Sequence, residues 1–119
     1  MKDTLPEAGD IILLNLDPTK GTEQAGLRPV LVISEHLMHT FSRRMIVCPI
    51  TSNMSPWPTK VFLAEGQGVT GAVLVDQVRA VDREARIVRL MGKVSPSALQ
   101  SVRGILASLC GMTLAMQSD

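Results

Sequence analysis

Aromatic side chains make up only 3% of the 119 residues, two phenylalanines and Trp57 with no tyrosine. A chain so poor in rings has no row of stacking platforms for successive bases. Cysteine is nearly absent too: Cys48 and Cys110 form no Cys-x-x-Cys and no pairing pattern, so both are read as buried free thiols and the fold as one that needs no disulfides. No apolar run approaches the length that spans a bilayer, and the leader Met1 to Ala8 lacks an apolar segment, which predicts a cytoplasmic protein. Excess charge is missing as well, the net being +1. Net charge therefore names no partner. No internal repeat or linker interrupts the chain.

What is present fits one globular domain over residues 1–119, with about eight leader residues: 45% hydrophobic and 19% charged. The charge is unevenly spread. Through Glu23 five acids face Lys2 and Lys20, whereas from Gln24 to Arg103 ten basic residues face five acids. A locally basic face on a near-neutral protein attracts polyanions to one surface.

The chain is organised around Gly21-Thr22-Glu23-Gln24-Ala25-Gly26-Leu27-Arg28-Pro29, which runs into the apolar stretch Val30 to Ile33. Two glycines flank a polar segment and open backbone conformations closed to other residues, while Pro29 biases Arg28 toward extended backbone as a strand begins. One arginine is thereby delivered to the root of a strand. Its guanidinium stays charged at any working pH and presents a rigid fork of donors that suits a phosphate; the competing reading is a salt bridge at a barrel rim.

In order, Ile11 to Leu16 reads as a first strand, Val30 to Ile33 as a second, Glu35 to Ser42 as two helical turns and Met45 to Ile50 as a third strand. Pro49 marks an edge or an exit, since it cannot donate to a ladder. Ser52 to Thr59 is a loop by its turn residues, followed by strands over Lys60 to Ala64, Ala72 to Val78 with Arg79 to Asp82 bending onward, and Ile87 to Val94 with Gly92 at a bulge or kink. The last element is a helix, capped by Ser95 with Pro96 at its first position, carrying Leu99, Val102, Leu106 and Leu109 on one side and ending at Gly111. Several strands are apolar on both faces, so one outer face must be covered, by this helix or by a second copy. The architecture expected is mainly β, a small SH3-like barrel with short helices and a C-terminal helix.

Gly9-Asp10, Asp17-Pro18, Gly21-Thr22-Glu23-Gln24 and Gly26-Leu27-Arg28-Pro29, each in its place before or after an apolar strand, resemble the MazF/PemK (Kid) toxin endoribonucleases of type II toxin-antitoxin modules. Cys48-Pro49-Ile50-Thr51-Ser52-Asn53 is similar to that family's third-strand exit, and Gly71 to Arg79 to its later strand with an Asp-Gln pair. The resemblance covers Gly9 to about Gly111. It implies metal-independent cleavage of single-stranded mRNA, sequence-specific and ribosome-independent, with attack by a ribose 2'-hydroxyl leaving a 2',3'-cyclic phosphate and a 5'-hydroxyl. No cofactor is implied. It further implies a homodimer held by a MazE-like antitoxin whose disordered acidic, apolar tail covers the RNA groove.

Arg28 and Thr51 match the family's catalytic positions. Arg28 serves better as a cationic clamp than as a base, its proton being held too tightly, and Thr51 can donate one hydroxyl hydrogen bond to a phosphate oxygen or simply close a strand. Glu23 is the carboxylate placed for proton traffic or for holding Arg28. Contacts to RNA are expected from Thr22 and Gln24, from Ser52, Asn53 and Trp57, and from Asp76, Gln77 and Arg79. Trp57 either stacks on a base or lids the barrel or a dimer seam, and Asp76 either orients Arg28 or holds the barrel. Two departures stand out, Leu27 where some relatives carry histidine and Leu74 where Kid-like members carry arginine, which leaves the general base unassigned. His36 and His39, three apart, lack a third ligand for a metal and are expected on the exposed side of their helix. The alternatives from other classes are a non-catalytic CcdB-like gyrase-binding toxin and a plain interaction barrel.

Overall fold

Strand β3, Arg44–Thr51, has more partners than any other described strand and sets the geometry of the rest. The computed structural model describes residues 5–16, 26–64 and 66–112. Along one edge β3 pairs with β2 (Gly26–Val32), and β2 pairs with β1 (Asp10–Leu16), which pairs with β7 (Ile87–Lys93). Along its other edge β3 changes partner: Arg44 to Val47 face β6 (Arg79–Asp82), then Ile50 and Thr51 face β5 (Ala72–Leu74), with β4 (Lys60–Phe62) beyond. All pairings are antiparallel, and the sheet curls into an open, barrel-like form. Cys48 and Pro49 fall in the gap between the two partners. Proline is tolerated mid-strand there because it is the place where the second ladder is already broken.

The expected strand over Ala72 to Val78 is in fact divided. A 3-10 turn at Val75–Gln77 ends β5 and redirects the chain into β6. The anticipated bulge in β7 is present, the register against β1 shifting between Ile11 opposite Gly92 and Ile12 opposite Leu90. Asp82 accepts from the Glu84 amide at 3.0 Å and starts the four-residue helix α2, Arg83–Arg86, which periodicity did not signal.

Burial on both strand faces resolves into two cores. Ile12, Leu14, Val30, Val32, Met45, Val47 and Val81 fill the inside of the curled sheet. The alternate residues Ile11, Leu31, Cys48, Ile50 and Val73 face the other way and meet Val102 of α3, Pro96–Leu109, with Leu99, Ile105 and Leu106 packed alongside. The helix itself thus covers the second face. Ser95 caps it by accepting from the Ala98 amide, and the Gly111 and Met112 amides close its end on the carbonyls of Ser108 and Ala107. Leu109, expected on the buried stripe, is half exposed in the last turn, beyond the reach of the sheet.

The short helix α1, His36–Phe41, is turned over relative to expectation. His39 is 1% exposed, whereas Leu37 and Phe41 are 71% and 77% exposed; only His36 lies outside. Both imidazole nitrogens have partners: Nδ1 stands 2.7 Å from the Pro6 carbonyl and Nε2 2.7 Å from Ser34 Oγ, which also accepts from the Ile46 amide at 2.9 Å. A carbonyl can only accept, so Nδ1 donates to Pro6, and Ser34 Oγ completes the ring's hydrogen bonding at Nε2. A polar ring satisfied at both ends is a better core residue here than a leucine, which would leave those groups unpaired. The same leader segment is held by Lys93 Nζ, which donates to Asp10 Oδ1 at 2.9 Å and Glu7 Oε1 at 3.2 Å.

The cysteines differ. Cys110 caps the end of α3 and is exposed, contrary to the expectation of two buried thiols, because the helix runs past the edge of the sheet before it stops. Cys48 is buried in the helix-side core, where burial first and the Asp76 carboxylate second push its thiol up to about 12. At pH 8, titration of the native protein with an aromatic disulfide is expected to modify one thiol per chain, Cys110, and the second only on unfolding. The sign for stability follows: the unfolded thiol ionises near 9 while the folded one stays protonated, so wild type loses stability relative to Cys48→Ala as pH rises from about 9 toward 12.

Candidate active site

The β2–β3 register fixes the relation between the two residues of most interest. Val32 lies opposite Val47, Leu31 opposite Cys48 and Val30 opposite Pro49. The paired residues end there; carried two residues past the last pair, the same register brings Arg28 level with Thr51. Arg28 lies within β2 rather than in the loop before it, held on its other side by Leu14 of β1. By strand alternation both side chains belong to the inner face, Arg28 beyond Val30 and Thr51 beyond Val47 and Pro49, at the end where the apolar filling stops. Gly26, at φ +81, begins β2 in a conformation that side chains rarely adopt, as the glycine-flanked loop demanded.

Thr51 is 8% exposed and fixed from three directions. It pairs with Ala72 of β5, and its Oγ1 accepts from the Asn53 amide at 3.1 Å. The hydroxyl proton remains available to a substrate oxygen. Gly71 packs directly beneath: a Cβ there would stand 2.5 Å from the Thr51 carbonyl oxygen, so only glycine permits this approach.

The loop after Thr51 carries Ser52, Asn53 and Trp57, all exposed, and Trp57 is 60% so. In the single chain the tryptophan therefore does not lid the barrel, which leaves base stacking or a dimer seam for it. Asn53 Oδ1 accepts from the Ser55 amide at 2.9 Å, and the Lys60 amide donates to the Trp57 carbonyl at 3.0 Å. Sequence reasoning missed Lys60, treating it only as the start of a strand. Its Nζ donates to the carbonyls of Asn53 at 2.9 Å and Ser55 at 2.8 Å, reaching back across the loop. The available signal was a lysine placed just after a proline-rich loop. Gly71 was noted only as part of a motif, although its packing on Thr51 is what requires it.

Arg79 lies opposite Val47 on the inner face, four residues along β3 from Thr51, or about 13 Å at the usual rise per residue. Asp76 and Gln77 belong to the 3-10 turn, Asp76 exposed and Gln77 half-buried. The charge of Asp76 acts on Cys48, whose side chain belongs to the face opposite that of Thr51. Thr22, Glu23 and Gln24 lie outside the described residues. Among the described residues no group of three or more histidine, cysteine, aspartate or glutamate side chains is placed to hold a metal ion, and both nitrogens of His39 are taken. No helix among them is long and apolar enough to cross a membrane.

Residues 7–110 match the model of the PemK-like, MazF-like toxins of type II toxin-antitoxin systems. The endoribonuclease toxin MazF of Escherichia coli is 36% identical over 107 residues, covering 90% of this chain and 96% of that protein. The fold is similar to the crystal structure of MazF (form I) from Deinococcus radiodurans, with TM-score 0.86 and 38% identity over 92% of this chain and all of that one. A chain of the MazE-MazF complex (form II) from the same organism gives 0.82 and 38% over 93% of this chain and all of that one. With the match spanning nearly the whole length, this chain belongs to the PemK-like, MazF-like toxin family of type II toxin-antitoxin systems.

Proposed function

We propose that the chain is the toxin of such a module and acts as an endoribonuclease on single-stranded mRNA, independent of metal and ribosome. The observation that supports this reading is the β2–β3 register, which, carried two residues past Val30 and Pro49, brings Arg28 and Thr51 level on one face of the sheet. Cleavage requires that a ribose 2'-oxygen bond to the adjacent phosphorus, that the bond from phosphorus to the 5'-oxygen break, and that a proton leave the first oxygen and reach the second. The products carry a 2',3'-cyclic phosphate and a 5'-hydroxyl. Charge builds on the non-bridging oxygens on the way, and fixed donors aimed at that charge accelerate the reaction most. Arg28 supplies a permanent cation and Thr51 a hydroxyl donor. Glu23 either takes the proton or holds Arg28; Ser52, Asn53, Trp57, Asp76, Gln77 and Arg79, with Thr22 and Gln24, contact the RNA.

Relatives of this chain are named endoribonuclease toxins, and one solved relative is complexed with MazE, which supports a MazE-like antitoxin as partner. The reading includes a homodimer in the cytoplasm whose activity inhibits translation and growth. A basic groove with exposed apolar side chains accepts RNA or an acidic, apolar tail, so the two compete.

The test is incubation of the purified chain with a long single-stranded RNA in EDTA, followed by chemical typing of the fragment ends. Cuts at one short sequence with cyclic phosphate ends are expected, and Arg28→Ala is expected to lower the rate by about a hundredfold or more while the dimer persists in sedimentation. A folded wild-type dimer that cuts nothing moves the assignment to a gyrase-binding toxin or an interaction module. Activity lost in EDTA and restored by a divalent ion overturns the metal-independent chemistry.

A further inference from the structure

The loop between β3 and β4 presents an exposed asparagine bonded to Thr51 and, four residues on, an exposed tryptophan, yet it has little core of its own. Residues 52–58 are all exposed, so apolar burial does not hold this backbone in place. What does hold it is a short set of polar contacts that converge on one side chain. Lys60 Nζ donates to the Asn53 carbonyl at 2.9 Å and the Ser55 carbonyl at 2.8 Å. Those two residues are tied to each other through Asn53 Oδ1 and the Ser55 amide at 2.9 Å, and Asn53 is tied to Thr51 through its amide and Thr51 Oγ1 at 3.1 Å. The chain of bonds runs from β4 through the loop to the hydroxyl of the site.

Lys60 itself is anchored. It opens β4 opposite Leu74 of β5, and its own amide donates to the Trp57 carbonyl, so its backbone fixes the far end of the loop while its side chain fixes the near end. An ammonium has three donors, two of which are spent on these carbonyls, and the described residues give it no carboxylate within ion-pair distance. Charged donors on neutral carbonyls make stronger bonds than neutral ones, enough to select one loop shape from several of similar energy.

We propose that Lys60 is a positioning residue for RNA: by clamping the carbonyls of Asn53 and Ser55 it holds the loop in the shape that presents Asn53 and Trp57 to the substrate. The role in RNA recognition rests on the function proposed above; the brace itself does not. It acts on binding and leaves the chemical step to Arg28 and Thr51. Base recognition on single strands depends on edges and ring faces being met by side chains already in place, so a loosened loop weakens binding before it slows cleavage.

The chain contains a single tryptophan, and it lies in this loop, so its fluorescence reports the loop directly. In Lys60→Met, which keeps the stem and removes the donors, Trp57 anisotropy is expected to fall and quenching by acrylamide to rise, with thermal unfolding by circular dichroism unchanged. On a short RNA substrate KM is expected to rise about tenfold, the loss of one to two charged hydrogen bonds, with kcat within about twofold. Lys60→Gln, polar but uncharged, is expected to give the same pattern and guards against a fault of folding in one variant. Unchanged anisotropy, an unchanged KM, or a fall in kcat at constant KM overturns the assignment. So does a drop of about one in the slope of log affinity against log salt, which marks a direct phosphate contact instead. If the wild type cleaves no RNA while Trp57 loosens in Lys60→Met, the brace stands and the proposed function fails.

Discussion

A single strand that changes partners along one edge is the constraint on which this molecule depends. β3 pairs with β2 on one side over Val47 to Pro49 and exchanges β6 for β5 between Val47 and Ile50 on the other. That exchange curls the sheet, makes room for Pro49 and places Thr51 at the mouth of the inner core against Gly71, where any side chain would collide with the Thr51 carbonyl. It also carries the β2 register to Arg28. A one-residue slip in β2–β3 pairing would send Arg28 and Thr51 to opposite faces and reverse both cores at once. The apolar residues on both faces of β1, β2 and β3 therefore do more than stabilise the fold. They forbid the slip, and so hold the two site residues together.

The regions away from that register are tied by polar contacts of a different kind. His39 links the leader to α1 and, through Ser34, to β3; Lys93 links the same leader to β7; Arg103 of α3 reaches the Ile33 carbonyl at 2.7 Å and Glu35 at 2.8 Å. His39 is buried and fully satisfied, where loss of a partner is costly, whereas the ion pairs are largely exposed and contribute little each. Near the site the same division recurs. Thr51 is fixed by packing, while the loop beyond it is fixed by hydrogen bonds to a lysine.

Much of this was legible because it rests on local chemistry. Ser95 and Pro96 announced the start of α3, Gly92 the bulge in β7, and the two-faced apolar pattern of Ile11 to Leu16 a strand covered on both sides. The motifs around Arg28 and Thr51 pointed to the family that the whole-chain comparison then showed. What was not legible depends on contacts between distant residues. Nothing in His36 to Phe41 says that Pro6 and Ser34 wait for the second histidine, which local spacing alone puts on the exposed side of α1. Leu109 and Cys110 continue a helical pattern that outruns the sheet beneath it. The break after Leu74 falls where the apolar run meets Asp76-Gln77, a polar pair too short to mark a turn by itself, and it is set by the change of partner on β3. Lys60 looks like any lysine at a strand start until the loop folds back over it.

The central claim is that the β2–β3 register makes Arg28 and Thr51 act together on one phosphate, and a double-mutant cycle on RNA cleavage tests it most directly. Arg28→Ala, Thr51→Val and the double variant would be compared by kcat/KM on one RNA substrate, with the fold checked by circular dichroism. Residues that serve one transition state as a unit are strongly non-additive, so the double variant is predicted to be no more than about threefold slower than the slower single. Losses that multiply would mean that the two residues work independently and would contradict the account.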